Sequence, residues 1–301
     1  MIKFKLPSLP IALIPSAVLR INITYLWRHG RLPNLRNPRR FTELVQQRKL
    51  ENRDIRMSIF ADKVSAKERV KSKLGAAWVI PTLWEGRVLP DQPDWPMPFI
   101  VKARHGCNQN FICKNLEDWK YARKLSALWC NKTYGLWLDE WAYLSMERGI
   151  IIEPYLGSPG QYPVDYKFYV FAGKVRFVQV HLGRADDHRW ILFNPDWRRV
   201  SSTTYDKDPQ PPRNLRFMIT AAEKLADNFD FVRVDMYEID GKPLFGEMTF
   251  YPGSGLDPFD PPYLDITIGA HWLRAQAILA NQSLNRENEK TWLSGEHSTI
   301  V

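Results

Sequence analysis

The chain has 301 residues, and 45% of them are hydrophobic, which is enough to bury one large core or two smaller ones. The 42 Lys and Arg against 33 Asp and Glu give a net charge of +9, which favours an anionic partner: a nucleotide, an acidic sugar, a nucleic acid or a lipid headgroup. The three cysteines are odd in number and match no zinc spacing, so they argue against a disulfide framework and a structural zinc site and indicate a reducing compartment.

The first 30 residues contain an apolar stretch that is too interrupted to cross a membrane. Prolines at positions 7, 10 and 15, followed by Arg20 and Asn22, break it well short of the roughly 20 apolar residues of a span. Because the basic run RHGRLPNLRNPRR follows, the segment predicts a helix that lies on the inner membrane face, with a secretory signal as the weaker alternative. We therefore expect a cytoplasmic protein with peripheral membrane contact.

Beyond this segment the pattern alternates between helices and strands. Helical periodicity covers about 41–75, and Gly75 is placed to end the last helix. Further helices are predicted at about 116–132, 138–147 and 212–227, a strand and loop at 99–113, and strands at 150–156, 166–171 and 174–182. Antiparallel hairpins mixed with helices predict an α+β fold rather than a doubly wound parallel sheet.

The sequence DFVRVDMYEIDGKPLFGEMTFYPGSG (230–255) predicts a hairpin with two carboxylates on adjacent strands. The Asp-Gly pair at 240–241 is the turn signal, and pairing across it brings Asp235 and Glu247 within reach of one ion. Arg233 lies two residues before Asp235 and therefore on the same strand face. Mg²⁺ prefers one or two carboxylates together with substrate phosphates, so the hairpin indicates a nucleotide site. The alternative is an ordinary hairpin whose acids face solvent.

Two earlier lysines are candidates for phosphate binding. Lys102 lies on the otherwise apolar strand FIVKA, where an ammonium group is costly unless a phosphate or a carboxylate meets it, so a structural salt bridge is the alternative. The loop HGCNQN that follows can supply backbone N–H groups to a phosphate, but it matches neither GxGxxG nor the P-loop pattern. Lys63, in ADKVSAK, is by itself typical of a solvated surface lysine.

Taken in order, these motifs resemble those of the ATP-grasp superfamily, and most closely its teichuronopeptide-biosynthesis branch, the TupA-like ATP-grasp proteins. The motifs are DKVSAK, FIVKARHG, IIIEPYL, PVDYKFYVF, FVRVD and FGEMTFYPGSG, and the leader NPRRFTELVQQRKLENRD also looks like that branch's NP..F.E..Q..KL..RD. The resemblance spans about 37–270 and implies two α+β subdomains that clamp ATP. The implied division is a helical N-terminal segment at 1–60, a lid subdomain at 61–153, a core subdomain at 154–285 and a tail at 286–301.

The resemblance also implies roles for individual residues. The implied contacts to ATP are Lys63, Lys102, His105, Gly106, Glu153, Pro154, Tyr155, Leu156, Asp165 and Lys167. The implied ligands of Mg²⁺, of which two ions are expected, are Asp235, Glu247 and, where much of the superfamily has asparagine, Thr249. Arg184 and Arg233 match catalytic arginines near the transferred phosphoryl group and the metal. The turn residues expected to bind substrate are Gly253, Ser254 and Gly255.

The implied chemistry is the ligation of a carboxylate to an amine. ATP phosphorylates the carboxylate, and the amine then attacks the acyl phosphate while Lys102, Arg184 and Arg233 stabilise the developing charge. The branch points to cell-surface polysaccharide biosynthesis, where an amino acid or peptide is joined to a uronic-acid glycan, and the basic surplus fits an anionic glycan or a lipid-linked precursor.

Two other classes of function remain as alternatives. One is a glycosyltransferase-like protein of polysaccharide biosynthesis, and the other is a non-catalytic binder of anionic polymers. The basic residues are spread along the chain and no nucleic-acid recognition motif is present, so we expect no nucleic-acid partner.

Overall fold

Two antiparallel sheets and the helices around them make up the part of the chain described by a computed structural model, residues 14–157, 162–182, 189–202 and 207–293. The helices are α1 (Ala17–His29), α2 (Phe41–Glu51), α3 (Arg56–Ala61), α4 (Lys63–Leu74), α5 (Leu116–Asn131), α6 (Leu215–Leu225) and α7 (Tyr263–Leu293). The strands are β1 (Trp84–Gly86), β2 (Phe99–Ala103), β3 (Asn110–Cys113), β4 (Ile150–Pro154), β5 (Asp165–Phe171), β6 (Lys174–Leu182), β7 (Arg189–Phe193), β8 (Phe231–Ile239) and β9 (Lys242–Thr249).

Each sheet has its own apolar cluster. The smaller sheet has the strand order β1-β4-β2-β3, and Phe99 and Val101 of β2 pack there against Trp119 of α5. The larger sheet has the order β7-β6-β5-β8-β9, and its cluster extends to α2, α4, α6 and α7. The expected α+β class is therefore confirmed, with helices that cover antiparallel sheets rather than linking parallel strands.

Most of the predicted elements are present, and one is wrong. Gly75 ends α4 with a φ of 98°, as its position predicted. The segment predicted as a helix at 138–147 contains only a 3-10 turn at Trp141–Tyr143. The reason is tertiary, because Asp139 has a φ of 58° and forms an ion pair with Arg20 of α1. That pairing holds the backbone in a conformation that a right-handed helix cannot contain.

Helix α2, from the leader motif, is anchored in the larger core by a buried arginine. Arg48 donates hydrogen bonds to the carbonyl oxygens of Phe231 and Phe250, at 2.9 and 3.3 Å, and forms an ion pair with Asp230. Its guanidinium also lies 4.2 Å from the ring centre of Trp272 in α7. One side chain thus ties α2 to the start of β8, to the residue after β9 and to α7.

The packing bears on the subdomain limits implied by the family resemblance. Ala66 and Val70 of α4, assigned to the lid, are part of the larger sheet's cluster. Helix α7 continues through position 286, where the tail was expected to begin. The limits themselves stay a prediction.

The pair of Arg48 and Asp230 predicts a large stability effect. Arg48→Met preserves a long side chain that can pack in the core, but it leaves the Asp230 carboxylate without its ion-pair partner. We expect the free energy of unfolding to fall by about 3–5 kcal/mol, measured by urea denaturation.

A matched control is Arg123→Met, because the Arg123–Asp91 pair lies on the surface. Its loss should change the free energy of unfolding by less than about 1 kcal/mol. Equal effects of the two substitutions would contradict the anchoring role of Arg48.

Candidate active site

The sequence-predicted residues on the larger sheet lie on one face of three adjacent strands. In the ladders, Lys167 of β5 is opposite Asp235 of β8, which is opposite Glu247 of β9. Arg233 is opposite Thr249 and two residues from Asp235, so the alternation of strand side chains places all five on the same face. The expected cross-strand pairing of Asp235 with Glu247 is present.

A β-bulge in β9 brings Glu247 to this face. Next to the turn, Met236 is opposite Phe245. If this register continued, Asp235 would pair with Gly246, and the Glu247 side chain would point to the other face of the sheet. Instead the register shifts by one residue between Asp235 and Met236, and Gly246 is the extra residue. A Cβ atom on Gly246 would lie 3.0 Å from the carbonyl oxygen of Asp235, so the close approach favours glycine.

A chain of buried opposite charges crosses the site. Asp235 is 1% exposed, and its carboxylate accepts two hydrogen bonds of 2.7 Å from Nε and Nη2 of Arg233. Nζ of Lys167 lies 2.5 Å from Asp235 and 2.7 Å from Asp165. Burial lowers the pKa of Arg233, but the charge of Asp235 outweighs it and leaves that pKa above its ordinary value. Each buried charge therefore has compensation.

Glu247 is the more accessible of the two candidate metal ligands. Its side chain is 30% exposed, and its oxygens lie 3.8 Å from Nη2 of Arg233 and 4.0 Å from Nζ of Lys63. Both distances are longer than a hydrogen bond, so this carboxylate can accept a further cation. Thr249 is already engaged, because its hydroxyl accepts a hydrogen bond of 3.1 Å from Arg233.

The donor set fits Mg²⁺ with phosphate and water as the remaining ligands. Asp235 and Glu247 supply two carboxylates side by side on adjacent strands. Within the described ranges, no three or more His, Cys, Asp or Glu side chains gather as a metal centre made by protein alone. An ion that takes one or two carboxylates and substrate phosphates suits this arrangement.

Helix α4 connects this face to the smaller sheet through two lysines one turn apart. Nζ of Lys63 donates a hydrogen bond of 2.7 Å to the carbonyl oxygen of Gly106 and lies near Glu247. Lys67 forms an ion pair with Glu153 of β4. Sequence analysis did not select Lys67; its signal was the four-residue spacing from Lys63, which puts both side chains on one helix face.

Glu153 joins two lysines at the end of β4. It is buried, and Nζ of Lys102 lies 2.5 Å from its carboxylate, while Lys67 pairs with the other oxygen. Burial raises the pKa of Glu153, but the charges of Lys102 and Lys67 outweigh burial, so the pKa lies below its usual value. The salt bridge expected as the alternative for Lys102 is therefore present, and its phosphate contact stays a prediction.

The remaining predicted contacts to ATP differ in their surroundings. Pro154 ends β4, and the N–H of Tyr155 donates to the carbonyl oxygen of Pro98 at 3.3 Å, with Leu156 half-buried beyond it.

The predicted catalytic residue Arg184 lies outside the described residues, so its role stays a prediction.

His105 is held by protein groups at both ring nitrogens. Its Nε2 lies 3.1 Å from the carbonyl oxygen of Trp129, and the N–H of Gly149 donates to its Nδ1 at 3.4 Å. Burial lowers the pKa of the imidazole. A contact of this loop with phosphate would therefore come from its backbone rather than from the ring.

The turn after β9 rests on the leader helix. Gly253, Ser254 and Gly255 all have left-handed backbone conformations, with φ of 53°, 56° and 66°. Nζ of Lys49 donates to the Ser254 hydroxyl at 2.7 Å and to its carbonyl oxygen at 2.8 Å, and Gln46 donates to the same carbonyl at 2.8 Å. These bonds hold a non-glycine residue in a conformation that it seldom adopts.

Lys49 and Gln46 were missed in sequence analysis, although both are part of the leader motif. Burial lowers the pKa of Lys49 to about 8, against the opposing effect of Glu140 and Asp139. Burial raises the pKa of Glu140, which lies beside the Ser254 hydroxyl. The sequence signal was their place in the leader motif NP..F.E..Q..KL..RD, to which both residues belong.

The site therefore joins a carboxylate pair on the larger sheet to the smaller sheet through the lysines of α4. The TupA-like ATPgrasp family matches residues 43–273, more than half of the chain. The chain therefore belongs to the TupA-like ATP-grasp family, and the resemblance seen in its motifs is confirmed.

Similar solved structures are distant in sequence. The D-alanine–D-alanine ligase of Bacillus anthracis complexed with ATP is 16% identical to this chain and has a TM-score of 0.48. The alignment covers 78% of this chain and 70% of the ligase chain. An L-amino acid ligase from Bacillus licheniformis is 13% identical and has a TM-score of 0.42, and the alignment covers 71% of this chain and 56% of the ligase chain. A search of curated proteins gives no match. The family match carries the assignment.

The bulge predicts that Gly246→Ala damages the site. Its Cβ would meet the Asp235 carbonyl at 3.0 Å and the Tyr237 ring at 3.2 Å. We expect weaker Mg²⁺-dependent ATP binding in calorimetry and a loss of about 1–3 kcal/mol in the free energy of unfolding. Gly173→Ala is the control, since φ of 74° strains it but its Cβ meets no atom within 4 Å. It should lose stability and keep ATP affinity, and unchanged binding in Gly246→Ala would contradict the role of the bulge.

The lowered pKa of Lys49 predicts that the free energy of unfolding rises with pH. The folded-state pKa is about 8, whereas an unfolded lysine has a pKa of about 10.4. Between roughly pH 8 and 10.4 the unfolded chain holds a proton that the folded chain lacks, so this residue makes the free energy of unfolding increase with pH. Urea denaturation across this range should show that Lys49→Met removes the increase, while the exposed Lys120→Met retains it. Equal slopes in all three proteins would refute the shift.

Proposed function

We propose that the chain is an ATP-dependent carboxylate-amine ligase that works through an acyl phosphate. The observation that carries the proposal is that Lys63 and Arg233 lie beside the carboxylate pair of Asp235 and Glu247, while Lys102 of the smaller sheet is held by Glu153. Phosphoryl transfer depends mainly on positioning and on stabilising charge, and this site supplies groups for both.

In the first proposed step, an oxygen of the substrate carboxylate attacks the γ-phosphorus of ATP, the bond to the β–γ bridging oxygen breaks, and ADP leaves. In the second, the amine nitrogen attacks the acyl carbon, the bond from that carbon to the phosphate oxygen breaks, and phosphate leaves, while the amine proton passes to solvent. Mg²⁺ held by Asp235 and Glu247 would neutralise phosphate charge. Lys63 and Lys102, held by Gly106 and Glu153, would orient the phosphates.

We infer that the substrates belong to cell-surface polysaccharide biosynthesis, with an amino acid or peptide joined to a uronic-acid glycan or a lipid-linked precursor. The net charge of +9 supports an anionic substrate. The turn Gly253–Gly255, held by Lys49 and Gln46, is the proposed substrate-binding element. A cytoplasmic location, where ATP is present, fits the proposal.

The test is to trap the acyl phosphate. The protein is incubated with ATP, Mg²⁺, hydroxylamine and one carboxylate at a time, either a uronic acid or an amino acid, and ADP and hydroxamate are measured. We expect both products in equal amounts with the correct carboxylate. Lys102→Met should lower kcat/KM by about 100-fold, the usual loss for a group that stabilises transition-state charge, and the exposed Lys114→Met should not.

ADP release without hydroxamate would contradict an acyl phosphate. Release of a nucleoside diphosphate from a sugar nucleotide, with none from ATP, would instead identify a glycosyltransferase. Binding of anionic polymers with no nucleotide turnover would identify a non-catalytic binder.

A further inference from the structure

Helix α1 has its apolar face outward. At 100° per residue, seven positions fall within an arc of about 180°, and five of them are large and apolar. The five are between 40% and 48% exposed and are Val18, Leu19, Ile23, Leu26 and Trp27. Asn22 and His29 are the other two. A surface helix usually turns such a face toward the core.

The inward half of α1 is the more polar one and fixes the orientation. Arg20 forms an ion pair with Asp139, and the Tyr25 hydroxyl lies 2.8 Å from that of Thr42. Nε of Arg28 donates to the carbonyl oxygen of Leu256 at 2.9 Å. Rotating the helix to bury the apolar half would break these contacts, so the outward apolar surface is built into the fold.

The sequence segment that contains α1 has charged residues of a single sign. Residues 1–40 contain eight Lys and Arg and no Asp or Glu, and the first acidic residue of the chain is Glu43. The eight are Lys3, Lys5, Arg20, Arg28, Arg31, Arg36, Arg39 and Arg40. Arg36 and Arg39 are exposed in the segment that follows the helix. Four of the others form ion pairs with acidic residues, namely Arg20, Arg28, Arg31 and Arg40. An apolar helix face that is followed in the chain by exposed cations complements an anionic lipid surface.

We propose that the outward face of α1 docks the protein on an anionic membrane surface, with the helix parallel to the bilayer and Trp27 at the headgroup level. The helix has 13 residues, a length of roughly 20 Å against a hydrocarbon core of about 30 Å. No helix among the described residues is long and apolar enough to cross a membrane. The proposal does not depend on the ligase reaction, since none of these residues lies in the candidate active site.

The test is flotation of the full-length protein with vesicles of phosphatidylcholine alone or of phosphatidylcholine with 30% phosphatidylglycerol, about one anionic lipid in three. We expect binding to the anionic vesicles that weakens with added salt. Leu19→Ser combined with Leu26→Ser removes two apolar side chains from the centre of the face and should lower the partition coefficient by about 100-fold.

The control combines Val88→Ser with Leu128→Ser, two exposed apolar residues outside α1. It should bind vesicles as the wild type does, and all proteins should keep one unfolding temperature. Failure of the wild type to bind anionic vesicles would overturn the proposal. A dimer seen by light scattering without lipid, and lost in the α1 variant, would also overturn it by showing that a second copy covers the face.

Discussion

The buried carboxylate of Asp235 is the constraint on which the site depends. A charge at 1% exposure must be compensated. Lys167 on the neighbouring strand β5 and Arg233 on the same strand β8 supply the opposite charges. These contacts require β5 and β8 to keep one register. The bulge at Gly246 then sets β9, because only the shifted register places Glu247 beside Asp235. Core packing and site geometry are thus specified by the same ladders.

Two helices connect this face to the rest of the molecule. Helix α4 reaches both sheets through Lys63 and Lys67, so a change in the relative position of the sheets would move both lysines. Helix α2 has a double role: Arg48 anchors it in the core, and Lys49 holds the turn after β9. This division explains why the leader motif contains polar residues at positions that are buried.

The sequence predicted the parts that are determined locally. The hairpin followed from β-branched residues and an Asp-Gly turn, and the motif order led to the family. The bulge could not be predicted, because a glycine in a strand has several explanations. Lys67 and Lys49 depend on which helix face turns inward, which tertiary packing decides. The helix predicted at 138–147 is absent for the same reason, since Asp139 is held by α1 and Glu140 by the Ser254 turn.

The central claim is that Asp235 and Glu247 bind a metal that carries ATP. The direct measurement is calorimetry of ATP binding with and without Mg²⁺, for the wild type and for Glu247→Gln, which leaves the ion pairs of Asp235 in place. A double variant with Asp235→Asn completes the series. We expect Mg²⁺-dependent binding in the wild type, weakened in the single variant and lost in the double. Absence of binding in the wild type, or equal affinity in all three, would contradict the account.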